Sequence, residues 1–206
     1  YQLFDKNESI LKAKKSEATI FYSSTPFRGL DILIDVFPYI KRRLPKVKLK
    51  VFSCLKTYQV DNDNYGYLYK KCKEMDGVEY FGSLSQSQLI PNLRKASILA
   101  YPNSFEETSC ISVMEALASG CGVVTSDLGA LPETCAGFAS LITGKPGSDE
   151  YKNKFIQEVE KMYKSFKSND SFLDKKLRNQ VDYFSLNNNW ERRANELIQI
   201  INNLQN

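Results

Sequence analysis

The chain has 206 residues, 42% apolar and 25% charged, with a formal net charge of +4 and no histidine. That length suits one domain with a real core, with or without an appended tail. The charge is compatible with anionic ligands but too small a bias to point to nucleic acid, and the missing histidine excludes Ser-His-Asp and Cys-His catalysis within this segment. No apolar run approaches the ~20 residues of a membrane span. The five cysteines, at 54, 72, 110, 121 and 135, form no CxxC pair. They predict reduced thiols in a cytoplasmic protein rather than a disulfide framework or a zinc site. The opening "YQLFDKNESILKAKKSE" is charged, carries no signal-peptide block and lacks an initiating Met, so a piece of a longer protein is expected.

Residues 1–17 read as a lead-in. "ATIFYSS" (18–24) is β-rich, and residues 28–44 carry apolar side chains at a helical period. A strand over 47–53 precedes a polar stretch and a helix over about 64–75. A short strand follows at 77–82. A helix over 85–96 begins at the cap-like Ser85 and is bent or started late by Pro91. Strands over 97–102, 121–126 and 138–143 alternate with a helix in 106–120 and a short helical turn near 129–135. From about 149 the chain reads as helical, in pieces over 149–166, 171–184 and 189–204. Short strands separated by helices predict a doubly wound, Rossmann-like parallel sheet with helices on both faces and a helical C-terminal extension (149–206), all within one domain. Ligands of such sheets sit outside the carboxyl ends of the strands. That groups the loops 23–29, 102–110 and 126–133.

The stretch "EETSCISVMEALASG" (106–120) concentrates the chemistry. Read as a helix, it has an apolar stripe of Ile111, Met114, Leu117 and Ala118, with Glu115 inside it. An unpartnered buried carboxylate is costly. Helical side chains lean toward the N-terminus, so Glu115 reaches back to the strand edge, where a carboxylate can bind the two hydroxyls of a ribose. An internal salt bridge or an exposed edge position would explain it equally well. Glu107 precedes the helix, and the backbone N–H groups of Thr108, Ser109, Cys110 and Ile111 suit a phosphate. Glu107 could instead cap those groups.

The spacing Glu107-x7-Glu115, followed by "ALASGCGVVTSDLGALPE", resembles the signature of the retaining, nucleotide-sugar-dependent glycosyltransferases of the GT-B fold, group 1 or family 4. "SSTPFRGLDILIDVF", "GVEYFGSLSQSQL" and "WERRANELIQII" are similar to other parts of the pattern, and the likeness spans about 18–203. The resemblance implies that Glu115 binds donor ribose, that Glu107 lies near the transferred sugar and that Arg28 contacts the diphosphate. A cation at a helix N-terminus opposes the macrodipole, so Arg28 is easier to understand with an anion between them, although it could simply point to solvent. Two departures stand out. Ser23 occupies a position where the family carries Arg, so that one diphosphate contact is missing or replaced by Ser24 or Thr25, and Cys110 stands where the family has Gly. The turn Gly82-Ser83-Leu84 is expected beside the base.

The chain therefore reads as the donor-binding half of a hexosyltransferase, inactive alone. A nucleoside diphosphate sugar, most often a UDP-sugar in this family, is its donor substrate, and no cofactor or metal is implied. Its partners would be an N-terminal acceptor domain of the same protein and an unidentified glycan, lipid or protein acceptor, with no nucleic acid. The expected location is the cytoplasm, or the cytoplasmic face of a membrane reached through the missing domain. The rival reading is a nucleotide-binding or scaffold module that has lost turnover. "TGKPGS" (143–148) fails the P-loop pattern at Ala139 and Pro146. No G-x-G-x-x-G follows a strand, which disfavours an epimerase-like nucleotide enzyme. The tyrosines of 65–75 suit a half-buried helix face better than base stacking. Asp61-Asn62-Asp63 reads as a solvated loop.

Overall fold

A computed structural model describes residues 4–5, 8–15, 19–55, 64–168 and 171–204; Asp61-Asn62-Asp63 lies outside them. Six strands form one sheet: β1 (Ile20–Ser23), β2 (Leu49–Phe52), β3 (Val78–Tyr80), β4 (Ile98–Tyr101), β5 (Gly122–Ser126) and β6 (Ser140–Ile142). Their order is β3-β2-β1-β4-β5-β6, and every pairing is parallel. The central strands β1, β4 and β5 are buried at every position, as a sheet covered on both faces requires. Ile20 is in register with Leu49 on one side and Ile98 on the other. The strand order reverses between β1 and β4, and a crevice opens there at the carboxyl ends.

The helices are α1 (Ile10–Lys15), α2 (Leu30–Arg43), α3 (Gly66–Glu74), α4 (Gln86–Lys95), α5 (Ile111–Ala118), α6 (Leu131–Cys135), α7 (Asp149–Lys167), α8 (Ser171–Asn187) and α9 (Trp190–Leu204). α2 packs with α3 and α7, while α5 packs with α4, α6 and α8; α1 touches α4, α7 and α8 and so joins the two sets. α2 turns seven buried residues from Leu30 to Ile40 toward the core. Ser85 and Gln88 close a capping box at the start of α4. Pro91 sits inside that helix rather than delaying it. Ser148 accepts from the Tyr151 N–H at the start of α7, where Asp149 and Glu150 also complement the helix dipole. No helix among the described residues is long and apolar enough to cross a membrane.

The lead-in is more than a tether. α1 buries Ile10 and Leu11, and its Lys14 is fully enclosed. Lys14 Nζ donates to the carbonyls of Leu93, Arg94 and Ala96 (3.0, 3.1 and 2.6 Å) and to Cys121 Sγ (3.3 Å). It thereby satisfies carbonyls that the end of α4 leaves unpaired. Burial lowers its pKa.

α9 contrasts with the rest. None of its residues is buried. Trp190, Leu197, Ile201 and Leu204 recur at helical spacing, with Trp190 84% and Leu204 82% exposed. No other element covers this stripe closely enough to bury any of it.

Candidate functional site

β1 ends at Ser23, Ser24 follows, and a turn of 3₁₀ helix, Pro26–Arg28, leads to Gly29. Gly29 has φ +101°, and a Cβ there would lie 2.1 Å from the carbonyl oxygen of Pro102. Only glycine lets the loop after β1 touch the loop after β4 so closely. The contact sets Arg28 opposite Glu107. Arg28 Nη1 donates to Glu107 Oε1 at 3.0 Å, and its guanidinium lies over the rings of Phe27 (5.4 Å) and Phe105 (4.9 Å). Tyr101 donates its hydroxyl to the same Oε1 at 2.6 Å, and Ser24 Oγ lies 3.3 Å from that hydroxyl.

The third loop closes on the second. Gly129 has φ +57°, and a Cβ there would lie 2.6 Å from the Glu107 carbonyl oxygen. The Ala130 N–H donates to that oxygen at 2.7 Å. Asn103 shapes the β4 loop from within: its Oδ1 accepts from the Phe105 N–H, and its carbonyl accepts from Ser126. All three loops therefore meet, as their places after β1, β4 and β5 require.

The inward face of α5 differs from the apolar stripe expected. Val113, Ala116 and Leu117 are buried, whereas Ile111 is 60% exposed at the first turn and Met114 and Ala118 are half-buried. The helix packs against α8, α6 and β5, which rotates the 113–116–117 face inward and leaves Glu115 at its edge. Glu115 is half-buried, takes a hydrogen bond from Gln86 Nε2 at 3.0 Å and has no ion pair among the described residues. Burial raises its carboxyl above the ordinary value, a shift that the Gln86 bond partly offsets.

Glu107 does not cap α5; its side chain is committed to Arg28 and Tyr101. The cap residue Cys110 lends no side chain, and burial pushes its thiol up to about 11. Thr108 and Ser109 are exposed just before the helix. At the β1 side the Thr25 carbonyl accepts from Tyr22 (2.7 Å), while Thr25 Oγ1 is buried without a partner in the described residues. Leu84 is half-buried against the core, two residues before Gln86.

Arg28, Glu107 and Ser24 are thus joined through Tyr101, while Glu115 is joined to the 84–86 turn. Tyr101, Gln86, Phe27 and Phe105 did not emerge from the sequence. A Tyr at a strand end and the residue after the cap-like Ser85 were the only traces of Tyr101 and Gln86. A hollow of about 720 Å³ lies elsewhere, between α2 and α3, lined by Asp35, Tyr67 and Lys71 among others. One of about 300 Å³ borders Thr108 and Ser109 on the side of α8 and α9. The three loops and their charges converge on the crevice rather than on the larger hollow.

The comparisons with known proteins agree with this architecture. The family model "Glycosyl transferases group 1" matches residues 4–172. No curated protein matches in sequence. Among solved structures, sucrose-phosphate synthase from Thermosynechococcus elongatus is 19% identical with a TM-score of 0.68, over 92% of this chain and 46% of its own. Anabaena HepE in complex with UDP and glucose is 15% identical with a TM-score of 0.67, over 97% of this chain and 53% of its own. The C-terminal domain of LpcC, a group 1 glycosyl transferase from Francisella tularensis, is 18% identical with a TM-score of 0.62, over 90% and 95%. The chain spans about half the length of the first two. With the family model matched over most of the chain and the GT-B fold shared with these structures, this protein belongs to the group 1 glycosyl transferases.

Proposed function

We propose that this chain is the donor-binding half of a retaining glycosyltransferase and that it holds a nucleoside diphosphate sugar in the crevice at the β1–β4 switch point. The observation that carries the reading is Glu115: a half-buried carboxylate whose only hydrogen-bond partner among the described residues is the neutral amide of Gln86. A group in that state gains from a vicinal diol, which offers two hydrogen bonds to an acceptor already partly stripped of water. Arg28 stands beside Glu107 with 22% of its side chain exposed, a cation at the mouth of the crevice. Together with the N-terminus of α5, it would stabilise the charge developing on the departing diphosphate. Glu107 would lie against the transferred sugar, Ser24, Thr25, Ser109, Cys110 and Ile111 along the phosphates, and Leu84 against the base. That HepE was solved with UDP and glucose favours a UDP-sugar among the candidates.

The bare face of α9 and the half-length match to larger relatives support a second domain, carrying the acceptor, as the partner of this one. Transfer would then require both halves, and the present chain would bind without turning over. Ser23, where the family has Arg, is what favours the scaffold reading.

Calorimetry with UDP and GDP separates these readings. The chain should bind one of them at micromolar to millimolar Kd. Glu115→Ala should weaken that binding at least ~10-fold, about 1.4 kcal/mol, and Arg28→Ala by less. Silence with both nucleotides would leave only the scaffold.

A further inference from the structure

We propose that Tyr101 is a positioning residue: by donating its hydroxyl to Glu107 Oε1, it keeps Oε2 as the acceptor for a hydroxyl of the donor sugar. This rests on the reading above and adds a residue to it. Packing does not explain the hydroxyl. The Tyr101 ring is fully buried, with its centroid 5.7 Å from that of Tyr22, and a phenylalanine would fill the same space. Burying a phenol is unfavourable unless its proton is bonded. Here that proton goes to a carboxylate at 2.6 Å, a short, charge-assisted contact.

The direction of the chain of bonds follows. Burial raises the Tyr101 pKa far above its ordinary value, so the hydroxyl keeps its proton and donates it to Glu107. Ser24 Oγ, at 3.3 Å, must then donate to the tyrosine oxygen. The order is Ser24 to Tyr101 to Glu107, and it ties the loop after β1 to the loop after β4.

The consequence for Glu107 comes from its second donor. An Arg and a carboxylate favour bidentate pairing, in which two N–H groups take both oxygens. The bond observed is single: Arg28 Nη1 and Tyr101 both sit on Oε1, and no described residue donates to Oε2. With Oε1 pinned by the short tyrosine bond, the carboxylate turns less freely toward the bidentate arrangement. The hydroxyl thus holds the acid half-engaged, and one oxygen stays available although Glu107 is only 4% exposed. Removing it lets the carboxylate close on Arg28 with both oxygens.

The test is Tyr101→Phe in the 206-residue chain, titrated with UDP, UDP-glucose, GDP and GDP-mannose. In the wild type the matching nucleotide sugar should bind more tightly than its nucleotide. In Tyr101→Phe the nucleotide alone should hold within about twofold, while the nucleotide sugar weakens about five- to tenfold, the worth of one lost hydrogen bond. In a Glu107→Gln background the same substitution should add nothing further. An unchanged ratio of the two affinities, whether neither falls or both fall equally, would show that the hydroxyl merely supports the fold and would overturn the inference while leaving the proposed function standing. A wild type that binds none of the four would remove both.

Discussion

Replacing Gly29 with alanine is expected to lower the melting temperature by roughly 6–12 °C, the equivalent of about 3 kcal/mol in a chain of this size. Two terms act together. The residue holds φ +101°, which strains any L side chain, and the new Cβ would sit 2.1 Å from the Pro102 carbonyl oxygen and 2.8 Å from its carbon. That neighbour is backbone, at the exit of the central strand β4, so it cannot swing aside. The loop after β1 would have to lift, taking Arg28 off Glu107. Gly66→Ala is the control: it begins α3, and a Cβ there meets nothing within 4 Å, so its melting temperature should hold or rise slightly. Circular dichroism melts of the two variants decide the matter. A Gly29→Ala protein melting within 2 °C of wild type would show that the close approach of the two loops is not needed for folding.

Alkali should unfold the chain well before its lysines lose their protons. Burial pushes the thiols of Cys72 and Cys110 up to about 11 and that of Cys135 up to about 12, from an ordinary 9.0. The folded form retains protons that the unfolded chain releases, so stability is complete below pH 9 and declines as pH rises toward 11 and 12. Each thiol contributes a slope of about 1.4 kcal/mol per pH unit, and three together about 4, against a total stability of roughly 5–15 kcal/mol. Tyr22, Tyr101 and Tyr151, all raised by burial, act with the same sign above pH 10. Lys14 acts oppositely, because its lowered pKa makes the folded form gain with rising pH. Cys121 and Tyr163 are raised by burial as well, so Lys14 is outweighed. Melts from pH 8 to 11 should show the decline beginning near 9, and Cys72→Ala should make it shallower. A flat melting temperature up to pH 10.5 would contradict the account.

The sheet was legible because strands buried on both faces must read as unbroken apolar runs, and "SILAYP" and "CGVVTS" do. The helices between them followed from spacing and from caps such as Ser85. The lead-in misled because α1 is only six residues long and draws its order from contacts elsewhere, above all the lysine bonds to α4. The inward face of α5 was misjudged by part of a turn: eight residues with apolar groups on several sides do not state which side meets α8. The union of Arg28 with Glu107 could not be read at all. They lie 79 positions apart, and two glycine-permitted loop contacts bring them together. Glu115 announced itself because an acid among apolar residues is anomalous in one dimension, whereas Gln86, 29 positions earlier, is ordinary until the fold sets it beside that acid.

Lys14 implies that the two rims of this sheet answer differently to salt. At the entry rim, before β4 and β5, an ammonium is walled in by peptide oxygens and a thiol, so dissolved ions have no route to it. At the exit rim, Arg28 keeps 22% of its side chain in contact with water, so counter-ions can compete for whatever it attracts. Adding sodium chloride should therefore leave the clasp on α4 intact and blunt only the pull on an incoming anion. Ionic strength becomes a dial acting on one end of the molecule.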